Sequence, residues 1–323
     1  MAAVQAAPVL VDAMGGDHGP DATVHGAVRA HRDHGVAVTL VGHGDEIGAR
    51  LRRHGAEAEI EILHAEQAVP MAERGAGALA WRRSSLAVGC AALAGAAGSG
   101  LVSAGSTGAV VACAVRGLGR APGVLRPALA VALPTLDGGA TVLVDAGATA
   151  DPAPPMLAQF AGLGAGYARR VLGVAAPRVG LLSIGSEPGK GNRLAREAAE
   201  LIAAAAPAAG LRFAGGVEGH DVLTGAVDVL VTDGFTGNVV LKNVEGTVRT
   251  VLAMVARAGG AHPARLREVA RRYCPETHGG AALLGLAGTV VVAHGSSDAA
   301  TIARACVVAR DLAGTPATGD GDG

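Results

Sequence analysis

The stretch DVLVTDGFTGNVVLKNVEG, Asp228 to Gly246, decides the fold. Val229 to Val231 is an apolar run of the kind that makes a buried strand. Asp233-Gly234-Phe235-Thr236-Gly237-Asn238 then interrupts it before helical spacing resumes at Val239. A strand that passes through a glycine-flanked polar loop into a helix N-terminus gathers backbone N–H groups and short polar side chains around one point. That is how an α/β protein holds an anion.

The same grammar recurs along the chain. Val9 to Asp12 reads as a strand, followed by AMGGDHGP and a helix from Asp21 to His34, which places Asp12, Gly15, Gly16, Asp17 and His18 at a strand's carboxyl end, where open α/β sheets bind ligands. LVSAGSTGAVVA, Leu101 to Ala112, is a second strand, polar loop and helix start, with Ser103, Ser106 and Thr107 in the loop. Further strands are expected at Val36 to Val41, Glu59 to Leu63, Ala128 to Leu133, Thr141 to Asp145, Val179 to Ile184 and Thr289 to Ala293, and Phe213 to Glu218 leads into VEGHD. Helices are expected from Asp45, which would cap the first, to His54, over Ala76 to Ala97, and from Pro155 to Leu172. The Ala76 to Ala97 helix would carry WRRSS, Trp81 to Ser85, whose arginines and serines suit either an anion or a charged helical face.

The loop GSEPGKGN, Gly185 to Asn192, has a superficial likeness to a nucleotide phosphate loop, but its glycine-to-lysine spacing is too short, and Gly191 and then Asn192 follow where a Lys-Ser/Thr pair is needed. It instead delivers Lys190 and Glu187. Only two lysines, Lys190 and Lys242, occur among 27 basic residues, and all three asparagines lie in the same two segments. A compact ammonium approaches a reacting atom as a point charge in a way a guanidinium does not. After Asp233, Thr236, Gly237 and Asn238, the apolar positions from Leu241 to Val255 recur at helical spacing, and with a second helix, Ala264 to Tyr273, they form a helical hairpin. HGSSD at the end of the last strand adds His294, Ser296 and Ser297, and GTPATGDGDG reads as a disordered tail.

Composition sets the limits. The chain has 323 residues, half of them hydrophobic but only 2% aromatic, with 50 glycines, so its core is built of Ala, Val and Leu. A net charge of −1 with both signs dispersed argues against nucleic-acid binding. The four cysteines are dispersed in apolar surroundings, as buried reduced thiols of a cytosolic protein would be, and the N-terminus lacks a basic signal region. Leu86 to Val115 is uncharged, yet its Gly/Ser breaks favour buried elements over a membrane span. His25, His31 and His34 lie on a polar helix without cysteine companions, and no metal site is assigned.

Taken together, DAMGGDHGP, SAGSTGA, the DAGAT strand end, GSEPGKGN, VEGHD, VTDGFTGNVVLKNVEG and GGAALLGLAGTVVVAHGSSDA resemble, in order and over nearly the whole chain, the PlsX-type bacterial phosphate acyltransferases. Ser106 and Thr149 stand where that family carries asparagine, and Arg83 where it often carries lysine. The resemblance implies an α/β, three-layer fold like the isocitrate and isopropylmalate dehydrogenases, with two lobes around a cleft and a protruding helical hairpin at about 239–273. Residues 1–314 would form one phosphate acyltransferase domain, with 315–323 as the tail.

The resemblance also implies a homodimer in the cytoplasm with peripheral contact at the inner membrane face, and no cofactor. Acyl carrier protein and inorganic phosphate would be its substrates, with a downstream glycerol-3-phosphate acyltransferase as partner. In that reaction Lys190 would hold the phosphate, Asn238 would stabilise the oxyanion on the thioester carbonyl, and the remaining loop residues, including Asn192, would position the groups. No triad or nucleophilic cysteine is needed. The rivals are an acyl-CoA enzyme of the phosphate acetyltransferase type, a metal-dependent decarboxylating dehydrogenase, whose acidic cluster and basic clamp are missing from the motifs, and a non-catalytic anion-binding scaffold.

Overall fold

The computed structural model describes residues 7–73, 75–95, 100–259, 262–273 and 279–314. In chain order the strands are β1 (Val9–Asp12), β2 (Val38–Gly42), β3 (Glu61–His64), β4 (Gly100–Ser103), β5 (Ala128–Pro134), β6 (Ala140–Val144), β7 (Arg178–Leu182), β8 (Arg212–Val217), β9 (Val229–Val231), β10 (Ala281–Leu284) and β11 (Thr289–Val292). The α-helices are α1 (Asp21–His34), α2 (Gly44–His54), α3 (Ser85–Ala94), α4 (Thr107–Leu118), α5 (Pro154–Leu172), α6 (Arg193–Ala205), α7 (Gly234–Arg257), α8 (Pro263–Tyr273) and α9 (Ala299–Ala313).

Two compact units emerge: Met1–Gly119 with Ala287–Gly323, and Arg120–Leu286. In the first, the strand order β3-β2-β1-β4-β11 is parallel throughout. Every residue of β1, β2 and β4 is buried, as a parallel strand requires when both its faces are covered. The cover comes from α1 packed on α9 and α3 packed on α4. A Cβ on Gly26 would come within 2.5 Å of the Ile302 Cβ, so a glycine sets how closely α1 and α9 approach.

In the second unit the order is β10-β5-β6-β9-β7-β8, antiparallel at β10–β5–β6 and parallel beyond. Here α5 lies against β6 and β9, with Phe160 fully buried, while α7 packs on α8.

Several sequence expectations shift. Residues 75–80 form a 3-10 turn, and α3 starts only at Ser85, because Ser84 accepts a hydrogen bond from the Ala87 N–H at 3.2 Å and caps it. WRRSS is therefore a connector and a cap rather than a helical face. His43, not Asp45, occupies the N-cap of α2. The strand β10 lies in the glycine-flanked GGAALLGL segment, where no strand was expected. Helix α7 starts at Gly234, five residues before the expected Val239. The centre of the expected hairpin turn at 260–261, Cys274, His278 and the 315–323 tail lie outside the described residues. Among those described, no helix is long and apolar enough to cross a membrane.

Candidate active site

In the first unit three loops meet at the carboxyl ends of β1, β4 and β11. Asp12, 3% exposed, ends β1, and its carboxylate accepts the Ser85 hydroxyl at 2.6 Å, the Ser103 hydroxyl at 2.7 Å and the Met14 N–H at 3.3 Å. Burial pushes its pKa up, while the hydrogen bonds from Ser85, Ser103 and the loop amides oppose the rise. A buried carboxyl occupied in this way ties the end of β1 to β4 and to the start of α3.

Gly15 is required because a Cβ there would fall 2.7 Å from Asp12 Oδ2 and 2.9 Å from the Gly105 nitrogen. Gly16 adopts φ +95°, and the Asp17 N–H donates to the Gly295 carbonyl at 2.8 Å, locking the first loop to the third. Asp17 and His18 are exposed. Ser106 is the N-cap of α4 but makes no side-chain cap bond, so the first-turn N–H groups beginning at the exposed Thr107 have no capping side chain and present the positive end of the helix. By contrast, α9 is capped by Asp298, which accepts the Thr301 N–H at 2.8 Å and the Thr301 hydroxyl at 2.9 Å. His294 Nδ1 lies 2.8 Å from the Ser296 hydroxyl, and the Ser297 hydroxyl is buried with no hydrogen-bond partner among the described residues.

In the second unit Asp145, completely buried at the end of β6, accepts N–H bonds from Leu129 at 2.8 Å, Gly147 at 3.0 Å, Ala148 at 2.9 Å and Thr149 at 2.6 Å. Burial again pushes the carboxyl pKa up, and these four donors pull it back. Helix α7 sits directly on this turn. Gly234 would place a Cβ 2.6 Å from the Thr149 carbonyl oxygen, and a Cβ on Gly237 would overlap the Asp145 carbonyl oxygen.

Asp233 caps α7, accepting both the N–H and the hydroxyl of Thr236 at 2.7 Å. Asn238 donates its amide to the Ala146 carbonyl at 3.3 Å. Asn192 caps α6 through the Ala195 N–H at 2.8 Å. Lys190 is exposed, and its ammonium makes no ion pair or hydrogen bond among the described residues, whereas Lys242 pairs with Glu245 at 2.8 Å on the helix.

Two pockets flank the Lys190 loop. One of about 550 Å³ is lined by Lys190, Glu187, Arg193 and Arg196 together with Phe213. The other, about 570 Å³, has an apolar wall of Leu157, Ile184, Leu194 and Val240 and a polar rim of Asn192, Asp233 and Thr236. Asn238 lines neither pocket, so these cavities do not bring it together with Lys190. Ser183 lines both pockets, and its buried hydroxyl has no hydrogen-bond partner among the described residues.

Sequence reasoning offered Ser85 only as an anion contact within WRRSS and passed over Asp145 as a functional position. A signal was available, since β1 and β6 both run out through Val-Asp-Ala, at residues 11–13 and 144–146, and in both places the Asp holds its loop.

A family model described as a fatty acid synthesis protein matches residues 7–318. A phosphate acyltransferase from Thermobifida fusca is 55% identical over 322 residues, covering 95% of this chain and 88% of that protein. Another from Bacillus licheniformis is 37% identical over 316 residues, covering 94% of each chain. Among solved structures, a phosphotransacetylase from Streptococcus pyogenes matches with a TM-score of 0.69 at 18% identity, over 96% of this chain and 94% of that one. A 4-hydroxythreonine-4-phosphate dehydrogenase from Klebsiella pneumoniae matches with a TM-score of 0.56 at 16% identity, over 95% and 99%. At those identities the structural likeness speaks for the fold alone. The sequence matches run through all the motif loops described above, and on that ground the chain belongs to the bacterial phosphate acyltransferase family.

Proposed function

We propose that this chain transfers a fatty acyl group from the thioester of acyl carrier protein to inorganic phosphate, yielding acyl phosphate for phospholipid synthesis. The observation that carries the reading is the sequence match to phosphate acyltransferases over nearly the whole chain. The geometry supports it by supplying what the chemistry needs. A phosphate oxygen attacks the thioester carbonyl, the C–O bond forms, the C–S bond breaks, and the thiolate leaves with the electron pair. Inorganic phosphate loses its second proton near neutrality, somewhat above the value of about 6 of a phosphomonoester, so a strong base is not required.

The attack brings negative charge together and calls for a cation, the part given to Lys190, whose ammonium makes no ion pair among the described residues although Glu187, Glu197 and Glu200 line the same pocket. The α4 N-terminus, with Ser103, Ser106 and Thr107 and the Gly15 to His18 and His294 to Ser297 loops, offers phosphate donors. The Asn238 amide gives up the long Ala146 contact to meet the oxyanion, with Asp233, Thr236 and Gly237 shaping its helix start and Glu187 and Asn192 shaping the lysine loop. In this reading α7 with α8 forms the hairpin of a homodimer that touches the inner membrane face.

Acyl phosphate is trapped as a hydroxamate when the acylated carrier protein, phosphate and hydroxylamine are supplied together, and the hydroxamate counted is that formed beyond a phosphate-free control, since hydroxylamine also attacks the thioester. The native protein is expected to form it, and Lys190→Ala to lose most of the rate. No hydroxamate from native protein overturns the acyltransferase reading, and an undiminished rate in the variant overturns only the role of Lys190. Acyl-CoA in place of the carrier tests the donor.

A further inference from the structure

A third cavity, of about 440 Å³, opens in the first unit between the 3-10 turn, α3 and α4, and none of its lining residues belongs to the loops that end β1, β4 and β11. Its lining is Ala78, Leu79, Trp81, Ala87, Gly117 and the buried thiols Cys90 and Cys113, with Arg82 and Arg116 as its only charged members. Both guanidiniums are exposed, and among the described residues neither side chain makes an ion pair or hydrogen bond. Arg83 next door is paired with Glu66 at 2.8 Å, and Ser84 and Ser85 are taken up by the α3 cap and by Asp12. Of the WRRSS motif, then, only Trp81 and Arg82 remain for a ligand.

Their backbone is held in place. Trp81 N–H donates to the Ala78 carbonyl at 3.1 Å, Ser84 N–H to the Trp81 carbonyl at 3.1 Å, Gln67 N–H to the Arg83 carbonyl at 3.1 Å and Ser85 N–H to the Gln67 carbonyl at 2.9 Å. The two helices meet closely behind the pocket, since a Cβ on Gly117 would fall 2.8 Å from the Cys90 Cβ. An apolar cavity with aromatic and aliphatic walls and two unpaired guanidiniums is complementary to a molecule with one hydrocarbon chain and an anionic oxyacid head. The volume sits low in the range of about 300–1,000 Å³ typical of ligand pockets, which suits one chain rather than two.

We infer that this pocket binds a free single-chain amphiphile with a carboxylate or phosphate-monoester head, with the chain between α3 and α4 and the head on Arg82 and Arg116. The inference stands on the pocket and is independent of the acyltransferase reading.

Trp81 is the only tryptophan of the chain, so its emission reports the pocket directly. Dodecyl phosphate, laurate, dodecanol and dodecyltrimethylammonium are titrated into native protein below their micelle-forming concentrations, with anionic phospholipid vesicles as a separate arm. Dodecyl phosphate and laurate are expected to give a saturable change and to bind about ten-fold or more tightly than dodecanol, as charge-assisted hydrogen bonds imply. The tighter of the two names the head group.

The double variant Arg82→Gln, Arg116→Gln should bring the anions down to the dodecanol level, and Ala87→Leu, which fills the cavity, should weaken all the amphiphiles. No saturable change in native protein, equal binding of the cationic and anionic probes, or a response to vesicles alone overturns the inference. If the double variant does not fold, the head-group preference of native protein decides.

Discussion

Substituting Gly237 by alanine sets two physical rules against each other. At an ordinary helical position the change stabilises, because alanine exceeds glycine in helix propensity by about 1 kcal/mol. At Gly237 the new methyl would overlap the carbonyl oxygen of Asp145 and lie 2.9 Å from its carbonyl carbon and 3.1 Å from Thr232 Cγ2. The obstacle is backbone, which cannot rotate away, so α7 must move off the turn it sits on. Overpacking of this kind costs about 1–3 kcal/mol, toward the upper end when backbone is the neighbour. Set against the propensity gain, the expected net loss is about 1–2 kcal/mol.

Gly246, on the same helix, meets nothing within 4 Å, and there the propensity gain of about 1 kcal/mol should stand alone. Urea unfolding of native protein, Gly237→Ala and Gly246→Ala should therefore give midpoints shifted in opposite directions. A Gly237→Ala protein as stable as native would refute the claim that α7 is seated on the Asp145 turn. If it is less stable, the displacement should also reach Asn238, one residue on, and lower the hydroxamate yield.

Asp12→Ala should cost more than an ordinary polar truncation, since it strands the buried hydroxyls of Ser85 and Ser103 at about 1–3 kcal/mol each, read as a lower urea midpoint. For Asp228, burial raises the carboxyl pKa, but the bidentate Arg178 contact, the Arg178 N–H and nearby positive charge bring it below the ordinary 3.8. The folded pKa lies under the unfolded one, so this contribution is present above 3.8 and is lost as pH falls through the lower folded value. Unfolding measured across that window should fall more steeply for native protein than for Asp228→Asn. Of the four cysteines, Cys90, Cys113 and Cys306 are buried, and burial pushes Cys90 and Cys306 up to about 12. At neutral pH, thiol titration of folded protein should therefore find no more than one reactive cysteine per chain, with the rest appearing on denaturation.

Where hydrophobic pattern and burial coincide, the sequence was legible: β1, α1 and β9 fall at Val9–Asp12, Asp21–His34 and Val229–Val231, as the apolar runs and flanking turn residues dictate. Elements failed to declare themselves where local chemistry is overridden by close approach. Gly234 and Gly237 weaken the helical signal of α7 while being the residues that let it touch the Asp145 turn, so the apparent start moved to Val239. In β10 four short apolar residues sit between glycines at positive φ, and only pairing with β5 marks them as a strand.

The candidate site divides in the same way. The loops were legible as strand ends with glycines. The division of labour within them was not, because whether Asp233, Thr236 and Asn192 cap helices or face a ligand depends on distances of less than an ångström. The same limit hid Asp145, whose partners are backbone amides that carry no residue signature.

The turn at Gly147 to Thr149 is shaped to surround an oxyanion, and it already contains one, tethered by the chain itself. A covalently attached carboxylate competes from within the same molecule, so dissolved phosphate does not displace it at any ordinary concentration. The seat of α7, and with it the backbone position of Asn238, is consequently set by the chain's own carboxyl group and needs no bound ion to complete it.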